Sequence, residues 1–129
     1  MVVGLLTSET LSDAAADRVF QALADSTRRD ILARAIEREQ SVSALARRYE
    51  MSLTAVQKHV AVLERAALVT KQRRGREQMV SANVPTLRRA AALLDAYEQM
   101  WIERTTRIAG ILAGEEGSTN DGHQQQQGS

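Results

Sequence analysis

The sequence predicts a mainly α-helical fold with a small β-ribbon, and three features between Val42 and Ala82 carry that expectation. Apolar residues at Val42, Leu45, Ala46 and Tyr49 recur at helical spacing, then stop at Glu50–Met51–Ser52. A second helical pattern follows, with Val56, Val60, Leu63 and Ala67 on one side. Next comes a short strand-like run (Leu68, Val69, Thr70), a basic tip (Arg73, Arg74, Gly75, Arg76) and an alternating run from Met79 to Ala82. Helix, turn, helix and a two-stranded ribbon with a cationic tip make the layout of a winged helix-turn-helix.

The remaining elements follow in order. Residues 1–10 read as a flexible leader, without the basic start and long apolar centre of a signal peptide. A first helix is expected over Ser12–Ala24, with Leu11, Ala15, Val19, Ala22 and Leu23 on its apolar side. Asp25 or Ser26 caps a second helix running to about Arg38, whose inner face carries Ile31, Leu32, Ala35 and Ile36. Ser41 or Ser43 opens the third helix, and Ser52 is placed to cap the fourth. Pro85 sits as in the first turn of a last helix.

The chain is thus expected to divide into the leader, a winged helix-turn-helix domain over 11–84, a long helix over 85–114 and a polar tail over 115–129. The tail, EEGSTNDGHQQQQGS, is low in complexity and is expected to be disordered. At 129 residues the chain supports one compact domain plus elaborations. Aromatic residues are few and Ala, Leu and Val dominate, which suits a small core of closely approaching helices. No apolar run reaches the length needed to span a bilayer, and there is no cysteine to build a disulfide framework. A cytoplasmic location is the expectation.

Charge is informative through its distribution. The net charge is only +1, but residues 41–79 hold eight basic against three acidic side chains. Residues 1–40 hold five against seven, and residues 80–129 four against six. Positive charge therefore gathers on the helix-turn-helix and ribbon, as on a phosphate-binding face.

Stepping about 100° per residue from Val56 puts Thr54, Lys58 and Arg65 on the opposite side of the fourth helix. Gln57 and Ala61 flank them. The groove-entering end is then hydrogen-bonding and cationic. Gln57 can present donor and acceptor to an adenine edge, and Lys58 can reach a guanine or a phosphate. Ser52 and Thr54 offer hydroxyls and helix-start amides to a phosphate oxygen. His59 lies about 60° from the buried stripe, and two roles stay open for it. It either hydrogen-bonds DNA or is partly buried and satisfied by backbone. Arg73, Arg74 and Arg76 surround Gly75 and can follow the backbone or enter the minor groove.

These residues resemble the ArsR-type (arsenic-repressor-like) family of winged-helix transcriptional regulators. The resemblance rests on FQALADSTRRDILARAI (Phe20–Ile36), SVSALARRYEMSLTAVQKHVAVLERAALV (Ser41–Val69) and RRGREQMVSAN (Arg73–Asn83). It covers about half the chain. Glu50 stands where family members often carry glycine for a left-handed backbone.

After Pro85, Leu87, Leu94, Trp101 and Ile108 recur every seven residues, with Ala91, Tyr97 and Ile111/Leu112 between them. This is one amphipathic helix ending near Gly114, and its stripe is too long for a small domain to cover. It reads as a dimer seam, with Trp101 as anchor. The resemblance implies the same, with first and last helices of two protomers packed together. Leu11, Ala15, Leu87, Leu94, Tyr97, Trp101 and Ile108 are the expected interface. A two-fold dimer would set two reading helices about 34 Å apart, on an inverted-repeat operator.

Many relatives sense metals, through cysteines on the third helix or Asp, His and Glu on the last. Here Ser43, Ala44, Leu45 and Ala46 occupy the thiol region, and Tyr97 stands where a histidine ligand would. Asp95, Glu98 and Glu103 read as solvated acids. No metal and no cofactor are expected. A small-molecule effector between the long helices stays open, without an identity. Nothing supplies a nucleophile with its base or a phosphate-binding glycine loop, so no enzyme is expected. The combined expectation is an autoregulating repressor of double-stranded DNA, acting as a homodimer. The alternatives are a winged-helix protein-interaction module, which would not need the cationic tip, and a regulator of the MarR-like type, which usually carries longer helical arms.

Overall fold

The computed structural model describes residues 11–115. The expected leader, and the tail beyond Glu115, lie outside the described residues. Five helices and three strands follow in the order α1 (Asp13–Ala22), α2 (Ser26–Glu37), β1 (Gln40–Ser41), α3 (Val42–Tyr49), α4 (Leu53–Arg65), β2 (Val69–Arg74), β3 (Glu77–Ala82) and α5 (Val84–Glu115). This is a mainly helical winged helix-turn-helix with a small antiparallel sheet.

Each early helix starts at a residue whose side chain accepts a hydrogen bond from an otherwise orphaned backbone N–H. Ser12 caps α1 through Ala15, Asp25 caps α2 through Arg28, Ser41 caps α3 through Ala44, and Ser52 caps α4 through Ala55. The Arg28 amide holds the exposed Asp25 carboxyl below its ordinary pKa, because the charged form accepts that bond better.

Both ends of the helix-turn-helix close by the same device. At the end of α3, the Met51 amide donates to the Ala46 carbonyl (3.0 Å) and the Glu50 amide to Arg47 (3.3 Å). At the end of α4, the Leu68 amide donates to Leu63 (3.0 Å) and the Ala67 amide to Glu64 (2.9 Å). This bond pair needs a left-handed residue between, and Glu50 (φ 54°) and Ala67 (φ 62°) supply it without glycine. Glu50 therefore holds the backbone conformation that glycine would adopt more cheaply.

The core lies where α1 to α4 and the start of α5 meet the sheet. Val19, Ile31, Leu45, Val56, Val60, Leu63, Leu68, Val69 and Val80 are fully buried within it. Small buried residues (Ala22, Ala35, Ala46, Ala66, Ala90) let the helices approach closely. Truncating Leu45 or Leu63 to Ala would cost about 2–5 kcal/mol.

Two members of the expected apolar faces are placed elsewhere. Ile36 is 53% exposed, because it lies about 140° around α2 from Ile31, at the edge of the buried face. Ala67 is exposed and outside α4, which ends at Arg65, and Ala66 fills the buried position.

The strand order is β1–β3–β2, all antiparallel. The two-residue strand β1 carries no length or alternation that a sequence reading could find. In the ribbon Val69 opposes Ala82 and Arg74 opposes Glu77, leaving Gly75 and Arg76 as the loop. Gly75 has φ 65° and Arg76 has no positive φ, the pattern of a type II′ hairpin turn.

The compact unit runs through Leu93, since Thr86, Ala90 and Leu93 are buried and Leu87 packs on the core. Asn83 ties this junction, donating through its side-chain amide to the Ala67 carbonyl (2.8 Å) and to Thr86 Oγ1 (3.2 Å). From Leu94 onward the helix forms a unit of its own.

Candidate nucleic-acid interface

The orientation of α4 follows from its sequence. Val56, Val60 and Leu63 are buried, so Leu53, Thr54, Gln57 and Lys58 are turned to solvent at the N-terminal end. Ser52 Oγ accepts from the Ala55 amide (3.1 Å), which leaves its own O–H free to donate. The Leu53 and Thr54 amides begin the helix without intrahelical acceptors. Two amides and two hydroxyls at one helix start can bind a phosphate oxygen.

His59 is half-buried on the flank of α4, with Nδ1 3.4 Å from Arg28 Nη1. Arg28 is itself fixed, donating to the carbonyls of Ala22 (2.8 Å) and Gln21 (3.0 Å). The histidine thus belongs to the contact between α2 and α4. Arg65 lies at the far end of the helix, exposed, beside a shallow depression of about 70 Å³ lined by Arg18, Gln21, Val62 and Ala66.

The three arginines of the ribbon tip differ in environment. Arg74 donates to both carboxylate oxygens of Glu39, at 2.6 and 3.1 Å. Ser81 Oγ also donates to Glu39 (3.3 Å). The Arg74 hydrogen bonds hold the Glu39 carboxyl below its ordinary pKa and raise that of Arg74. Arg73 and Arg76 are exposed and, among the described residues, form no ion pair. Lower on the ribbon, Lys71 pairs with Glu64 at 3.3 Å, bracing the wing against α4.

A second brace ties α3 to α2. The Tyr49 hydroxyl donates to Asp30 Oδ2, and Arg34 Nε reaches the same oxygen at 2.8 Å. Partial burial and that bond push the Tyr49 phenol up to about 12, while Tyr49 and Arg34 hold Asp30 below its usual carboxylate range.

Three groups in this region are not among the individually expected site residues, although Arg47 and Arg48 belong to the basic run. Leu53 is exposed beside Thr54, and its angle of about 60° from Val56 places it at the edge between core and groove sides. Arg47 and Arg48, in the last turn of α3, are exposed and extend the cationic surface. Glu39, 35 residues from its partner Arg74, carries no local sign of that pairing.

A family model described as a helix-turn-helix domain matches residues 23–72. The helix-turn-helix-type transcriptional regulator Rv2034 of Mycobacterium tuberculosis is 34% identical over 99 residues, 77% of this chain and 90% of that protein. The structure of an ArsR-like transcriptional regulator from Rhodococcus sp. RHA1 aligns with a TM-score of 0.67 at 35% identity, covering 76% of this chain and 92% of that one. This chain belongs to the ArsR family of transcriptional regulators.

As an ArsR-family chain it is a transcriptional regulator with a helix-turn-helix DNA-binding fold, and α3 and α4 form that motif. The homodimeric winged helix-turn-helix DNA-binding domain of Mb0332 from Mycobacterium bovis aligns with a TM-score of 0.54 at 26% identity, over 74% of this chain and 91% of that one. Of the metal-sensing chemistry found in some ArsR proteins, the described residues hold no cluster of three or more His, Cys, Asp or Glu side chains. Asp95, Glu98 and Glu103 are exposed. No helix among the described residues is long and apolar enough to cross a membrane.

The residues expected at a dimer seam fall into two groups. Leu11 and Leu87 are partly buried against the core of their own chain, and Ala15 is half-exposed. Leu94, Tyr97, Trp101 and Ile108 are exposed along the distal part of α5, joined by Ile111 and Leu112. Trp101 is 59% exposed, with the Arg104 guanidinium 5.9 Å from its ring centroid.

Proposed function

We propose that the chain is a cytoplasmic homodimeric repressor that binds an inverted-repeat operator, with α4 in the major groove and the ribbon tip on the flanking backbone. The observation that carries this reading is the division of α4. Its apolar stripe is spent on the core, while Thr54, Gln57 and Lys58 project from the end that enters a groove. Gln57 reads a base edge and Lys58 a base or phosphate. Ser52, Thr54, Arg73 and Arg76 hold phosphates, with Arg65 farther along the helix. His59 acts by keeping α4 against Arg28 rather than by touching bases.

The apolar side chains of the distal α5 repeat with the seven-residue spacing of a helix seam. A second copy of that segment covers them in this reading, and a two-fold pair sets the α4 helices about 34 Å apart. Among the described residues no clustered metal ligands support a metal effector, so control by a small molecule, or by protein concentration alone, fits better.

Selection of bound fragments from a genomic DNA pool tests the proposal, starting from the region upstream of the chain's own gene. A two-fold symmetric sequence with half-sites one helical turn apart is the expected result. Equal recovery of all fragments at moderate salt overturns it.

A further inference from the structure

Leu53 is the one large apolar side chain exposed on the groove-facing end of α4, at 47% of its surface. Neither the core nor the helix start explains it. It is absent from the core and from the hydrophobic side chains packed around it. The apolar residue that commonly steadies a helix start precedes the cap, and here that is Met51, half-buried against the core. Leu53 therefore stays wet in the free protein while its neighbours on the same end, Thr54, Gln57 and Lys58, are polar.

We propose that Leu53 is a specificity-determining residue that packs on the C5-methyl group of a thymine in the operator. This deepens the reading above and rests on it. The thymine methyl is the apolar feature a base pair presents in the major groove, and an aliphatic side chain there distinguishes thymine without a hydrogen bond. The placement fixes where it lies. Leu53 and Gln57 are one helical turn apart on adjoining positions, so their side chains start about 5–6 Å from each other. With base pairs stacked about 3.4 Å apart, the thymine falls one or two steps from the base that Gln57 reads. Removing the contact costs the burial of one methyl-sized group, roughly four-fold in affinity.

The test uses the full chain and its selected operator, with each thymine of a half-site replaced in turn by deoxyuridine, which lacks only the methyl. The wild-type chain is expected to lose about four-fold at one position. Leu53→Ala is expected to bind the unmodified operator more weakly and to lose nothing further at that position. No sensitive thymine in the wild type, or an equal methyl dependence in Leu53→Ala, overturns the contact and leaves the regulator reading standing. A chain that prefers no sequence overturns both.

Discussion

Arg74 grips Glu39 with two guanidinium nitrogens, at 2.6 and 3.1 Å, so the tip of the ribbon is anchored to the segment that leads into β1. One of three neighbouring arginines is thus already neutralised within the chain. Arg73 and Arg76 have no such partners among the described residues, so in the proposed complex theirs are the charges expected to meet phosphates. Arg76→Ala is expected to lower the slope of log affinity against log salt by about 0.9. Arg74→Ala should lower it less, and Glu39→Gln, which frees Arg74, should steepen it. Binding isotherms over a salt series measure all three, and equal slopes would take the ribbon out of the interface.

Gln57 is exposed on α4 and, among the described residues, its side chain makes no hydrogen bond, so its replacement is expected to leave the fold intact. Gln57→Ala is expected to weaken binding to the selected operator by about 1–3 kcal/mol and binding to random DNA hardly at all. Competition titrations on both DNAs separate base reading from backbone contact. A loss of the same size on each would make Gln57 a phosphate ligand.

The helices were legible because each buries a stripe that its 3.6-residue repeat spells out, and because Asp25, Ser41 and Ser52 mark starts with side chains that cap. Periodicity gives the centre of a buried face better than its edges. Ile36 and Leu53 both sit on such edges, and what covers an edge depends on neighbours distant in sequence. The same limit hides Glu39 from Arg74 and Asp30 from Tyr49, pairs 35 and 19 residues apart. The basic ribbon tip could be read as a cluster, but which arginine was committed elsewhere could not. Strand β1 has two residues and exists because β3 offers it an edge.

Glu50 occupies a left-handed conformation that costs a residue with a Cβ about 1–2 kcal/mol. Glycine removes that cost but loses about 0.5–1 kcal/mol through its freer unfolded chain. Glu50→Gly is therefore expected to stabilise the domain by roughly 0.5–1 kcal/mol, raising the thermal midpoint by a few degrees. Glu50→Ala should give no such gain. A melting curve unchanged by glycine would mean that the Glu50 side chain offsets its backbone cost.

Tyr49 and Asp30 join α3 to α2, and their titrations work in opposite senses. The Tyr49 phenol is raised from 10.0 to about 12, so its contribution is complete below pH 10 and lost as pH rises through about 12. The Asp30 carboxyl is lowered from 3.8, so its contribution is complete above that value and lost as pH falls through the depressed one. Tyr49→Phe removes the phenol and lets the Asp30 pKa rise. It is expected to cost about 1 kcal/mol at neutral pH, with half-exposure of the carboxylate keeping the loss small. Acid unfolding should then begin at higher pH than in the wild type. An identical acid limb would show that the carboxylate is held by Arg34 alone.

Trp101 is the bulkiest of the exposed apolar side chains on the distal part of α5, at 59% exposure, with the Arg104 guanidinium near its ring. Trp101→Asp leaves α1 to α4 untouched, because among the described residues the buried core includes none beyond Leu93. If a second copy covers this stripe, losing a central aromatic costs about 2 kcal/mol or more. The dissociation constant of the dimer then rises roughly thirty-fold. Sedimentation should show monomers at concentrations where the wild type is paired. Operator affinity should fall with pairing, since one half-site alone keeps only half the contacts. A mutant that still sediments as a dimer would move the seam off this stripe, while an unchanged circular dichroism spectrum would confirm that assembly rather than folding had been tested.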